Sequence, residues 1–502
     1  MRPIARTGAA PAAPVVSPIP RIAPRARATI EQIVAAANLD GTVGCVLADA
    51  RTGEVLEQIN ADVAQPPASV TKAVTALYAL DALGGSFRFI TRLFAVGGIS
   101  EGVLNGDLIL AGGGDPTLSA DHLAELAAAL EAGGITRVTG RFLCWRGALP
   151  YAEEIEPSQL DHLGYNPAVS GLNLNYNRVH FEWKRVSGNW QATMDARTET
   201  IVPRVRMARV RIVDRGAPVF ATDAPDSWTV ARSALGNGGS RWMPVRQPAL
   251  YAGDVFRELA KGVELPAPEV VDDLPEGRVE IAQHRSPTMR TILQEMLLYS
   301  TNLTAEICGL AATQAKLRRS LNIEESAAEM TRWIGETYGI DGDFKDHSGL
   351  SDRNRVSGTD MAKLLLAVAP DGNLRPIMRR IPMLDSENRR IEDYPIVVRA
   401  KTGTLNFVSS LAGYIQTAEG SDLVFAIFAA DVDRRERGKA SGDEVPAGSI
   451  EWNRRAKRLQ QVLLQRWGLI YRNGAPEIAE GAEPRNAGSL FPETGPAPVV
   501  TD

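Results

Sequence analysis

Apolar and polar positions divide this chain into two textures. In residues 41–60, two short apolar runs flank the turn signal Asp49-Ala50-Arg51-Thr52-Gly53, which predicts a β-hairpin. After Pro66-Pro67, the residues Val70, Ala73, Val74 and Leu77 recur at helical spacing, so a helix begins near residue 69 and carries Ser69 and Lys72 on one face. Between roughly 92 and 267 the texture changes to short β-like runs, such as 204–213, with many turn signals, and the stretch reads as inserted domains. Segment 394–430 predicts three strands, antiparallel by connection length, with a turn at Ala418-Glu419-Gly420-Ser421. In 449–470, Ile450, Ala456, Leu459, Val462, Leu463 and Trp467 fall near one stripe of a helix that should pack on that sheet. No internal repeat is found.

Composition narrows the class. A chain of 502 residues with 44% hydrophobic content can bury more than one core and is expected to form two or three domains. The net charge of -5 is spread along the chain without a one-sided basic field, which argues against nucleic-acid or membrane partners. The longest apolar run, 423–430, is too short for a bilayer and reads as a buried strand. Cys45, Cys144 and Cys308 match no zinc or redox spacing and are expected as buried small hydrophobes. None of the five histidines stands at metal-ligand spacing, so no metal is expected. The Gly-rich segment 108–118 lacks the ending of a phosphate loop and reads as a turn, while 434–446 reads as a solvated loop. Prolines interrupt residues 1–28 where an export signal needs an apolar core, so either a disordered leader or a trimmed or mis-started export signal is expected there. Residues 473–502, rich in Pro, Gly, Ala and Glu, read as a flexible tail.

The Ser69/Lys72 pair admits two readings, an ordinary helix-capping serine beside a surface lysine or a nucleophile beside its base. A cation in the first turn opposes the helix dipole, and burial there would lower its pKa until the amine can accept a proton from serine. Two further segments favour chemistry: Ser300-Thr301-Asn302, and Lys401-Thr402-Gly403 at a strand position where glycine lets a ligand approach the backbone. Serine-x-x-lysine, serine-x-asparagine and lysine-threonine-glycine in this order resemble the signature of penicillin-binding proteins and serine β-lactamases.

The 231 residues between Ser69 and Ser300 leave room for a large insertion. Together with 67–80, 111–118, 300–310, 346–354 and 400–405, this gap resembles the D-alanyl-D-alanine carboxypeptidase/endopeptidase family, the class C low-molecular-mass penicillin-binding proteins of the S13 type, over about 30–470. The resemblance implies an α+β fold, an antiparallel sheet flanked by helices with nested, mostly β inserts. The implied division is a catalytic domain of 29–91 and 268–472, an insert of 92–148 and 205–267, and a third domain of 149–204.

By the same resemblance, Ser69 is the nucleophile, Lys72 the general base, Ser300 the proton relay toward the leaving amine with Lys401 beside it, and Asn302 the residue that binds the substrate amide and holds Lys72. Backbone N–H groups of Ser69 and Thr404 would form the oxyanion hole, and Thr402 and Thr404, on either side of Gly403, would receive the terminal carboxylate. The substrates implied are peptidoglycan peptides, β-lactam antibiotics are the covalent inhibitors, no cofactor is required, and the compartment is the periplasm. Carboxypeptidase or endopeptidase preference is left open, as is monomer or homodimer. His347, where a glycine is commoner in the family, is expected to be structural. The competing readings are a β-lactamase or esterase of the same fold and a non-catalytic peptidoglycan-binding scaffold. A tyrosine in place of the second serine marks one such branch, but Tyr299 lies three residues before Asn302 and Ser300 two, which keeps the serine register.

Overall fold

The computed structural model describes residues 28–473, so nearly all of the expected leader and tail lies outside the described residues. The larger antiparallel sheet has six strands in the order Arg379–Ile381, Ile396–Leu405, Val408–Thr417, Asp422–Ala430, Thr42–Asp49, Val55–Ile59. The last three strands of the chain form the meander expected from their short connections. The N-terminal hairpin is annealed to it because Thr42–Asp49, buried almost throughout, must be covered on both faces and both edges.

One face of the sheet is covered by helix Ser449–Ile470. Ala456, Leu459, Leu463 and Trp467 are buried there as the periodicity predicts, whereas Ile450, placed on the same stripe by spacing, is 72% exposed. It sits in the first helical turn, before the helix reaches full contact with the sheet. The other face carries Thr71–Leu83, which is buried from Thr71 to Ala79 and packed among Met289–Tyr299, Asn302–Leu317 and Ile323–Tyr338, with Gly358–Val368 beside them on the sheet; the polar Thr71, Lys72 and Thr75 are buried within it.

The inserted region is built on a second sheet in the order Pro268–Val271, Phe142–Trp145, Val103–Ala111, Ile90–Ser100, Arg278–Arg285. Pro268–Val271 and Arg278–Arg285 thus belong to the insert, and the chain rejoins the catalytic helices at Met289 rather than at 268. Nor does a boundary fall at 204: strand Gly238–Pro244 pairs with Arg178–Val186, across the division between the two expected inserts, and both share one core with the second sheet. The Gly-rich segment 108–118 is the end of strand Val103–Ala111, irregular chain over Gly112-Gly113-Gly114-Asp115 and a turn at Pro116-Thr117. A Cβ on Gly112 or Gly113 would stand 2.3 or 2.1 Å from a backbone oxygen, so close chain approach explains the glycines. The expected solvated loop at 434–446 is corrected to helix Val432–Ala440 followed by a loop; Asp431 caps it by accepting from Arg434 N, and Arg435 is buried. Its charges concealed a helix anchored by a buried ion pair. All three cysteines are buried and free, and no helix among the described residues is long and apolar enough to cross a membrane.

Candidate active site

Ser69 occupies a single 3-10 turn, Ala68–Val70, that leads directly into helix Thr71–Leu83. It does not cap the helix; its hydroxyl faces Lys72 Nζ at 3.0 Å. Ala68 is held at φ +46°, a conformation costly for a residue with a Cβ, and Gly349 is packed so closely over it that a Cβ there would lie 1.8 Å from Ala68 O. The turn carrying Ser69 is therefore fixed from outside by segment 346–354.

Lys72 is fully buried. Its Nζ contacts Asn302 Oδ1 at 2.8 Å and Ser348 O at 2.6 Å besides Ser69. The orientation of the Asn302 amide follows from its other contact, Nδ2 donating to Tyr165 O at 2.9 Å. Two of the three neighbours of the amine can only accept and the third is a hydroxyl. A neutral amine, with two N–H donors and one lone pair, satisfies that set completely. Burial draws the pKa of Lys72 down to about 8, against the opposing pull of Asp346 and Glu306.

Those two acids lie beneath the site, fully buried. Asp346 accepts from Gly349 N (2.7 Å), Ser351 N (2.6 Å) and Asn354 Nδ2 (2.9 Å), while Glu306 accepts from His347 N at 3.1 Å. Burial raises both carboxyls, and their mutual repulsion adds to the rise of Glu306. His347 is buried against Tyr78, bonds Ser326 Oγ at 2.8 Å and is pushed by burial down to about 3, so it is a neutral packing residue.

Ser300 ends helix Met289–Tyr299 in the left-handed conformation, φ +59°, and this reversal separates it from Tyr299, which is 70% exposed. Lys401 Nζ donates to Ser300 Oγ at 2.9 Å and to Thr402 O at 2.6 Å. Buried and close to Lys72 and Arg379, the Lys401 amine is held well below its usual range, with desolvation the leading cause. Strand Arg379–Ile381 stops opposite Ala400, leaving 401–405 as an edge whose other side is paired to 408–412. Gly403 lies so near the nucleophile turn that a Cβ there would be 2.6 Å from Pro67 O and 3.0 Å from Ser69 N.

Ser69, Ser300, Asn302 and Thr404 line one cleft of about 350 Å³. Sequence reasoning did not find the Ser348 carbonyl, Glu306, Asp346, the Tyr165 carbonyl or Arg435. Glu306 was discoverable as the residue one turn after Asn302 on the same helix, and Ser348 lay inside a segment already singled out. Tyr165 comes from the insert and Arg435 from the misread loop.

Known proteins place these features. The sequence profile of the D-Ala-D-Ala carboxypeptidase 3 (S13) family matches residues 26–445. The chain is 28% identical over 440 residues to a carboxypeptidase of Mycobacterium tuberculosis, covering 84% of this chain and 81% of that one. It is 26% identical over 444 residues to a D-alanyl-D-alanine carboxypeptidase of Actinomadura sp., covering 80% of each. The crystal structure of penicillin binding protein 4 from Haemophilus influenzae superposes with a TM-score of 0.71 at 19% identity, covering 87% of this chain and 99% of that one, which establishes the fold. Two lysines, two serines and an asparagine brought together from three distant segments thus stand within a match spanning most of the chain, and the protein belongs to the D-Ala-D-Ala carboxypeptidase 3 (S13) family as a serine-type D-Ala-D-Ala carboxypeptidase.

Proposed function

We propose that the enzyme hydrolyses the D-Ala-D-Ala ends of peptidoglycan stem peptides through an acyl-enzyme on Ser69, in the periplasm. The observation that carries this reading is the contact set of Lys72, which suits a neutral amine with its lone pair toward Ser69 Oγ. Lys72 takes the hydroxyl proton as Ser69 attacks the penultimate D-alanine carbonyl. Backbone N–H groups of Ser69 and Thr404 receive the developing oxyanion. Ser300, hydrogen-bonded to Lys401, gives its proton to the leaving amine and takes in its place the one Lys72 received from Ser69, so the C–N bond breaks and the Lys72 amine is neutral again. The carboxylate of the leaving D-alanine rests against Thr402 and Thr404. Water then attacks the ester with Lys72 again as base, and the Ser69 hydroxyl is regenerated.

β-Lactams bind the same serine because the strained amide mimics the scissile bond while ring opening keeps the leaving group tethered. The Haemophilus protein has also been crystallised with a β-lactam, which agrees with that expectation. The test is benzylpenicillin and intact mass: a lasting increase equal to the whole antibiotic, mapped to the peptide containing Ser69, is expected. Fast turnover with no adduct would favour a β-lactamase, absence of any reaction a scaffold, and a label on Ser300 would overturn the choice of nucleophile. Fractionation of the native host tests the compartment, with activity solely in cytoplasm as the contrary result.

A further inference from the structure

The insert reaches the cleft through segment 158–165. The root of this tip is fixed, because Ile155 and Val169 are buried in the catalytic core and Arg246 donates to Asp161 O and Asn166 O, both at 2.9 Å. The buried Asn166 side chain accepts in turn from Ile155 N and Glu156 N. Gly164 packs on strand Gly238–Pro244, where a Cβ would stand 2.5 Å from Trp242 O. The tip and that strand therefore form one stiff unit.

Glu444, in the loop after helix Val432–Ala440, reaches across to this unit from the catalytic domain. Its carboxylate lies 3.1 Å from His162 Nε2 on the tip and 3.3 and 3.4 Å from Nη2 of Arg241 on the strand. Both partners rest on Phe220: the His162 ring is stacked at 5.0 Å between centres, and the Arg241 guanidinium lies 4.6 Å from the ring centre. On the other side, Asn406 Nδ2 donates to Glu444 O at 3.1 Å and so anchors the loop to the turn after strand Ile396–Leu405. The hydrogen bond to His162 and the charge of Arg241 outweigh burial and hold the Glu444 carboxyl down to about 2. As an anion it only accepts, which puts the His162 proton on Nε2. Beside this bridge the tip and helix Val432–Ala440 leave a cavity of about 50 Å³, so polar contacts rather than close packing join them here.

An ordinary exposed ion pair contributes little. This one matters for what the tip carries. Tyr165, three residues after His162, presents its carbonyl to Asn302 Nδ2 at 2.9 Å, and Asn302 Oδ1 faces Lys72 Nζ at 2.8 Å. We propose that Glu444 is a positioning residue for acylation: by holding His162 and Arg241 it keeps Tyr165 O on the Asn302 amide, and through that amide it keeps the Lys72 lone pair on Ser69. The inference rests on the catalytic reading above and adds a residue that acts through the insert rather than on the substrate. Without the bridge the tip lifts, the Asn302 amide loses the partner that fixes its orientation, and its Nδ2 turns toward Lys72. The amine then spends its lone pair on that N–H instead of on the Ser69 hydroxyl, and acylation slows in a cleft that is otherwise formed.

The test is stopped-flow acylation by benzylpenicillin, which separates the limiting rate at saturation from the half-saturating concentration. Glu444→Ala on the catalytic side and His162→Gln/Arg241→Gln on the insert should each lower the limiting rate by about tenfold and leave the half-saturating concentration within about twofold. Combining all three substitutions should lower the rate no further, because the residues act through one bridge. Glu444→Asp, which keeps a carboxylate, should recover most of the rate. The two variants lie on different domains, so if one fails to fold the other still decides. An unchanged limiting rate, losses that multiply in the combined protein, or a raised half-saturating concentration at an unchanged limiting rate, the mark of a substrate contact, would overturn the assignment. A wild type that benzylpenicillin never acylates would instead sink the catalytic reading on which it rests.

Discussion

Asn302 Oδ1 lies 2.8 Å from Lys72 Nζ, although 230 residues separate them in the chain. The contact joins two helices of the same catalytic layer, Thr71–Leu83 and Asn302–Leu317, on either side of the whole inserted region. Because the amide nitrogen of Asn302 is committed to Tyr165 O, its oxygen faces the amine and leaves the Lys72 lone pair only one direction, toward Ser69. The insert therefore helps orient the Lys72 amine through a carbonyl at the cleft mouth.

The pH dependence of acylation should report Lys72. Its pKa is drawn down to about 8, so the neutral, proton-accepting fraction grows about tenfold per pH unit below that value and saturates above it. The second-order rate of penicillin acylation should follow this limb; a profile flat from pH 6 to 9 would remove Lys72 as base. The sign for folding is related. Between about 8 and the ordinary 10.5 the unfolded chain holds a proton that the folded chain does not, so this group makes stability rise with pH across that window.

The two acids beneath Lys72 should respond differently to neutralisation. Asp346, with three N–H donors, is the better held anion, whereas Glu306, with one backbone donor and the Ser348 hydroxyl, is raised by burial and by Asp346 to about 8 and so carries most of the shared proton below that pH. Glu306→Gln, which imitates a protonated acid, is expected to leave the acidic limb of the profile in place. Asp346→Asn removes an anion that raises Lys72, so the limb should move to lower pH, and its new N–H₂ facing backbone donors should cost about 1 to 3 kcal/mol in urea unfolding. The opposite pattern in the two pH profiles would reverse the assignment.

Much of the catalytic layer was legible because its signals are local. Lys72 follows Ser69 by three positions on one helix, and the meander 396–430 is three strands joined by short turns. The inserted region was less legible. Pro268–Val271 and Arg278–Arg285 pair with strands more than a hundred residues earlier, and nothing in their own composition says which sheet will claim them. Segment 434–446 misled for another reason. Its charges read as solvated, but Arg435 is buried against Asp352 at 2.6 Å, an arrangement visible only when both segments are folded.

That buried pair should be costly to break. Arg435 Nη1 also donates to Asn406 O at 3.1 Å, so the side chain ties the 346–354 segment to the cleft wall. Burial raises the pKa of Asp352, yet Lys439 and Arg435 together outweigh it and hold the carboxyl below its usual range. With a depressed folded value, this stabilisation is present above the unfolded pKa and lost as pH falls through the folded one. Arg435→Met is expected to lose about 3 kcal/mol at pH 7, read as a lower urea midpoint, because Asp352 keeps only Lys439. A midpoint within error of wild type would show that Lys439 suffices.

Gly403→Ala separates stability from catalysis. Gly403 does not need glycine for its backbone angles, since it lies in a regular strand register opposite Ser410. It needs glycine for space: a Cβ would meet Pro67 O at 2.6 Å and Ser69 N at 3.0 Å, and both atoms are backbone that cannot swing aside. The turn carrying Ser69 must shift away from the strand, which moves the nucleophile relative to Lys72 and pulls apart the two N–H groups assigned to the oxyanion. A displacement near 1 Å at such a site costs on the order of a hundredfold in rate. The variant should therefore lose about that factor in penicillin acylation, with unfolding free energy lowered by only about 1 to 3 kcal/mol. Acylation at the wild-type rate would mean that strand 401–405 does not position Ser69, and the oxyanion hole would have to be sought elsewhere.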